Sequence, residues 1–255
     1  MCSPLPVDQE QANPPALRLV TEPLRTLTDE QMAEANQRFE TATPQEIIRW
    51  AIETFGDQLT MATAFGPEGM TIIHMISEID RATHIFNLDT GYQFPETVAM
   101  RDRIRDRYGI DVAFYSHELS VEAYEAQHGG PLYKRDPTQC CFDRKITVLR
   151  KSVEGRAAWI SAIRRDQSPD RAAAPIIGRD KKFDLVKVNP LANWTKKLVW
   201  NFIMEHDVPY NPLHDQGFSS IGCAPCTRAT LFGEDERAGR WSGTGKTECG
   251  LHTLD

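Results

Sequence analysis

From residue 58 onward the hydrophobic pattern of this chain keeps changing its period. Short apolar runs alternate with longer amphipathic ones, and few architectures accept that pattern. QLTMATAF (58–65) reads as a strand and GMTIIHMISEI (69–79) as a helix. HIFNL (84–88) is again a strand, PETVAMRDRIRDRYG (95–109) a helix closed by Gly109, and DVAFY (111–115) a third strand. RAAWISA (156–162) and DLVKVNP (184–190) are later strands, with a helix around 141–152 before them. Strands separated by helices imply an α/β fold, a parallel twisted sheet flanked by helices on both faces. In such sheets ligands lie beyond the carboxyl ends of the strands. Function is therefore to be sought in 64–69, 89–94, 162–182 and the turn after 188.

Two helices should precede the sheet. Thr28 with Gln31 and Thr43 with Glu46 have capping-box spacing, and Pro44 suits the first helical position. Residues 1–27 carry five prolines without periodicity and read as an N-terminal arm, disordered or draped on a partner subunit of a homo-oligomer. No linker divides residues 28–235. Residues 236–255, rich in glycine, read as a mobile C-terminal tail.

The 255 residues suffice for one α/β domain, and a net charge of −7 gives no field suited to nucleic acid. No apolar run reaches the ~18 residues of a membrane span, and the first residues do not resemble a secretory signal. A cytoplasmic, reducing setting is expected. There the six cysteines point to metal binding or redox chemistry rather than disulfides.

Four cysteines fall into two pairs, Cys140-Cys141 and Cys223-Ala224-Pro225-Cys226. Two thiolate pairs suit zinc or an iron–sulfur cluster. Adjacent cysteines point in different directions, which favours a larger cluster over one small ion. Zinc and metal-free thiols remain alternatives at this level. Cys249 stands apart in the tail, where nearby cations would lower its pKa and make it nucleophilic. The basic residues Lys145, Arg164, Arg165, Arg171, Arg237 and Arg240 are candidates for an oxyanion site within an acidic chain. The turn Thr63-Ala64-Phe65-Gly66-Pro67-Glu68-Gly69, leading into a helix, offers backbone N–H groups to phosphate or sulfate. Asp89 and Thr90 suit either nucleoside contacts or turn formation.

Taken together, Cys140-Cys141, Ile221-Gly222-Cys223-Ala224-Pro225-Cys226-Thr227-Arg228 and Glu248-Cys249-Gly250-Leu251-His252 resemble the assimilatory adenylyl-sulfate (APS) reductases of the sulfonucleotide reductase family. Leu88-Asp89-Thr90-Gly91, Arg164-Arg165-Asp166-Gln167-Ser168 and Val208-Pro209-Tyr210-Asn211-Pro212-Leu213-His214 support the resemblance, which spans roughly 45–255. It implies an adenine-nucleotide α-hydrolase-like fold and a [4Fe–4S] cluster on Cys140, Cys141, Cys223 and Cys226. It implies thioredoxin or glutaredoxin as reductant, with APS converted to sulfite and AMP in sulfate assimilation and cysteine biosynthesis. Cys249 would be the nucleophile, passing through an S-sulfocysteine, with Lys145 and His252 beside it. Arg171, Arg237 and Arg240 would hold phosphate and sulfate oxygens. Thr63, Gly66 and Glu68 would lie at the phosphate and ribose, and Leu88 at the base.

One departure stands out. The family's first loop commonly carries a second serine and an acid, where this chain has Phe65 and Gly69. The 3′-phosphorylated substrate (PAPS), alone or alongside APS, is the close rival. An ATP pyrophosphatase of RNA thiolation and a zinc-stabilised binding module are more distant alternatives.

Overall fold

The computed structural model of this chain describes residues 25–251. Two helices come first, α1 (Asp29–Phe39) and α2 (Pro44–Phe55), each opened by the expected reciprocal capping box. The alternating body follows with β1 (Leu59–Thr63), α3 (Pro67–Ile79) and β2 (His84–Asp89). The expected helix over 95–109 is broken into α4 (Pro95–Val98) and α5 (Met100–Tyr108), and β3 (Ala113–Ser116) succeeds it. Beyond it lie α6 (Val121–His128), α7 (Pro137–Cys141), α8 (Thr147–Ser152) and β4 (Ala158–Ile160). The chain then forms β5 (Ile177–Asp180), β6 (Leu185–Val188) and α9 (Lys196–Glu205).

The six strands run in the order β3-β2-β1-β4-β6-β5. All neighbours are parallel except β5 and β6. The parallel twisted sheet flanked by helices is thus as expected, with one antiparallel edge pair that turns part of the 162–182 loop into an edge strand. The physical reason is local. Only four residues separate Asp180 from Leu185, too few for a parallel crossover, so the two strands return as a hairpin.

Helix α3 is apolar nearly all round, with Met70, Ile72, Ile73, Met75 and Ile76 fully buried between the sheet, α2 and α9. Each such side chain contributes about 1.5–3 kcal/mol of burial. The strand order reverses at β1, which pairs with β2 on one side and β4 on the other. That switch point leaves a crevice beyond the carboxyl ends of β1 and β4. No helix among the described residues is long and apolar enough to cross a membrane. Of the N-terminal segment, Arg25 donates to Gln58 and Thr54, and residues 1–24 lie outside the described residues.

Candidate active site

The turn after β1 is tightly constrained. The Thr63 hydroxyl accepts the Phe65 N–H at 3.0 Å, and Phe65 adopts a left-handed φ of 56° while buried against Phe114. A bulky residue there is strained and persists only because its surroundings hold it. Gly69 is equally specified, since a Cβ would approach the Thr63 hydroxyl to 2.7 Å. The two departures from the family loop thus fit together: Phe65 fills the core and Gly69 makes room for Thr63. Gly66 caps α3 without a side-chain bond and Pro67 follows, so the first N–H groups of this 13-residue helix stay open to an anion.

Glu68 is less free than expected. Its carboxylate takes Nε of Arg164 at 2.8 Å. Arg164 is fully buried and also pairs with Asp166 and with Glu236. One guanidinium thus ties together the β1 turn, the β4 turn and the start of the tail. At the end of β2, Asp89 accepts the Gly91 N–H and acts as a turn former. The Leu88 carbonyl takes Nε2 of Gln93 at 3.0 Å. The buried Arg144, which sequence reasoning passed over, donates to the Thr90 carbonyl and lies over Tyr92 and Tyr124.

The four paired cysteines border one small cavity, walled by Tyr92, Tyr133, Pro137, Pro225 and Trp241. The expected helix over 141–152 carries a wider π-helical turn at Phe142–Ile146 between α7 and α8. Such turns recur at functional sites, and this one carries Lys145. All four thiols are free. Burial and the other thiols push Cys140 up to about 12 and Cys226 up to about 11. Burial alone would also raise Cys223, but Lys145, the Thr90 hydroxyl at 3.3 Å and Arg240 outweigh it and hold that thiol below its ordinary value. Among the described residues no three Cys, His, Asp or Glu side chains are grouped closely enough for a single ion.

Next to this cavity lies a larger one of about 220 Å³, at the switch point of the sheet. Thr63, Gly66, Glu68, Leu88, Lys145, Arg171, Arg237, Arg240 and Cys249 all line it, together with Cys223. His252 lies outside the described residues. Burial tends to lower Lys145, but Cys223, Cys249 and Cys141 overcome this and keep it firmly protonated. Arg240 lies 4.5 Å over the Trp241 ring, and its buried Nε has no partner among the described residues. Gly222 gives it passage, because a Cβ there would overlap the Arg240 guanidinium. Arg171 and Arg237 converge on Glu248, the residue before Cys249. Sequence reasoning quoted Glu248 within a motif but gave it no role, since its partners lie up to 77 positions away.

An open helix start, several converging cations and a thiol in one crevice suit a small phosphorylated or sulfated anion. Residues 58–229 match the phosphoadenosine phosphosulfate reductase domain. The chain belongs to this family. Within the PAPS reductase domain family, it is 45% identical over 223 residues to a Salinibacter ruber protein named adenosine 5′-phosphosulfate reductase, spanning 87% of this chain and 88% of that one. It is 44% identical over 207 residues to the Bacillus subtilis adenosine 5′-phosphosulfate reductase 1, spanning 81% and 89%. Among solved structures it resembles a phosphate complex of phosphoadenylyl-sulfate reductase from Candida auris. The TM-score is 0.72 and the identity 30%, over 80% of this chain and 98% of that one.

Proposed function

We propose that this chain reduces adenylyl sulfate to sulfite and AMP, with Cys249 as nucleophile. The observation that carries the reading is the meeting of Cys249, Lys145 and three arginines in one cavity at the switch point of a sheet from this family. The nucleotide phosphate sits at the open start of α3, and Arg171, Arg237 and Arg240 take phosphate and sulfate oxygens, where guanidinium groups give paired contacts. The Cys249 thiolate attacks the sulfur of APS. The S–O bond to the phosphate breaks, AMP leaves with that electron pair, and sulfite remains on Cys249 as an S-sulfocysteine. Lys145 offsets the charge that develops on the leaving and transferred oxygens. A thiolate of a dithiol reductant of the thioredoxin or glutaredoxin kind then attacks the Cys249 sulfur, and sulfite departs. The reductant's second thiol resolves the mixed disulfide and frees Cys249.

Cys140, Cys141, Cys223 and Cys226 fit a [4Fe–4S] cluster in donor type and number, four free thiols that border one walled cavity. When bound, the cluster supplies a compact charged group beside Lys145 that tunes the field at the sulfate. The relatives named for APS, at 44–45% identity, support that substrate over PAPS. Turnover with each nucleotide, followed as sulfite release with a dithiol reductant, tests the choice. We expect APS to be used far better; equal or better use of PAPS overturns it.

A further inference from the structure

We propose that Glu248 is a carboxylate latch that holds the Cys249 tail docked in the unliganded enzyme by occupying the arginine clamp a ligand oxyanion needs. The inference rests on the reading of Arg171 and Arg237 as oxyanion contacts and goes one step past it.

Arg171 grips the carboxylate with both arms of its fork, Nε to Oε1 at 2.8 Å and Nη2 to Oε2 at 3.0 Å. Arg237 adds Nη2 to Oε2 at 3.1 Å and to the Thr247 carbonyl at 3.1 Å. The Glu248 and Arg171 side chains are 8% and 7% exposed, so the contact is no surface ion pair. A carboxylate held by two planar donors has the geometry in which guanidinium groups hold sulfate or phosphate. Other carboxylates at the cavity are already engaged: Glu68 and Glu236 both pair with Arg164. Glu248 is thus the acid that answers the clamp in this state, and burial and the Arg171 cation lower Arg237 while Glu248 opposes them only in part. The rest of the tail follows the latch. Lys182 donates to the Gly250 carbonyl at 2.7 Å, and Leu251 packs on the apolar cluster of Phe86, Leu149 and Trp159. Cys249 lies between these anchors, facing the cavity.

An oxyanion and Glu248 cannot both fill the same donors, so anion entry loosens the tail and the latch re-forms when the anion leaves. The consequence is a competition between closed tail and ligand.

The test is the rate at which iodoacetamide alkylates Cys249 in the full holoenzyme, read on the Cys249 peptide by mass. Glu248→Gln removes the charge; Glu248→Asp keeps it but shortens the reach to both arginines. We expect both variants to alkylate at least about tenfold faster than wild type, as local release of the tail requires, with the folded core retained by circular dichroism. Inorganic sulfate, against chloride of equal ionic strength, should speed wild type and leave both variants unmoved. In turnover, both variants should lower KM, because the clamp is already free when the nucleotide enters. Wild-type alkylation rates in both variants overturn the latch. Acceleration in Glu248→Gln alone also overturns it, since that is a charge effect on the thiol. Sulfate that binds by calorimetry without exposing Cys249 overturns the competition. Sulfate that does not bind counts against the oxyanion reading of the arginines instead, and the two variants still decide the latch.

Discussion

Single residues set this cavity by what they exclude as much as by what they offer. Gly222 illustrates it: the Arg240 guanidinium occupies the space of its missing side chain. Because the neighbour is the free end of a flexible side chain, Gly222→Ala should leave the fold intact and swing Arg240 away from the cavity. We expect KM for the nucleotide to rise about ten- to a hundredfold with the melting temperature within a few degrees of wild type, as follows from losing one charge-assisted contact of about 1.5–3 kcal/mol. Steady-state kinetics beside thermal melting checks this. The charged and nucleophilic residues were legible in the sequence as types: a lone tail cysteine, two cysteine pairs and scattered arginines. Their partners were not. Glu248 meets Arg171 across 77 positions and Arg164 meets Glu68 across 96, and no local pattern marks such pairs. Glu68 was expected at the ligand, and its bond to Arg164 gives it a second duty as a tie between loops.

At the scale of elements, capping signals and apolar period placed α1, α2, α3 and the first three strands well. The period failed where tertiary partners decide. The edge strand β5 is four residues long and makes sense only beside β6, and the π turn widens a stretch that otherwise reads as one helix. α6 and α9 were passed over between better-marked neighbours. The β1–β2 pair carries a pH sensitivity of its own. His84 opens β2 and bonds the Thr60 hydroxyl at 2.7 Å, with Tyr115 at its other nitrogen. Burial, aided by the Arg156 cation, lowers its pKa from 6.5 to about 4. The unfolded chain therefore takes up this proton first as pH falls. The stability contributed by the neutral ring is intact above about pH 6.5 and is lost as pH drops through about 4. Between those values the loss is at most one proton, or about 1.4 kcal/mol per pH unit. Urea unfolding across this window should show a shallower pH slope in His84→Gln than in wild type. Equal slopes would mean the ring stays protonated in the fold.

The whole molecule places two cavities side by side, one walled by four sulfurs and one lined with cations, joined through Cys223, Lys145 and Arg240. The α/β class and the position of a cavity beyond the strand ends were readable from the alternation of periods, because the switch point is a property of topology rather than of any one side chain. The packing of the tail was not readable, since its anchors are Lys182, Arg171 and Arg237 on separate segments. Protein purified without air should be brown and carry about four irons and four sulfides per chain, as thiolate-ligated [4Fe–4S] requires. Colourless protein with zinc and no sulfide would refute the cluster while leaving the cation-lined cavity as described.

The central claim is that the tail sulfur takes the sulfite group from the nucleotide. Incubation with APS in the absence of any reductant, followed by mass analysis of the digested chain, tests it most directly. The account predicts one added SO₃ group on the Cys249 peptide, released as sulfite when a dithiol is supplied. An unmodified Cys249 alongside AMP production, or the adduct on another cysteine, would contradict it.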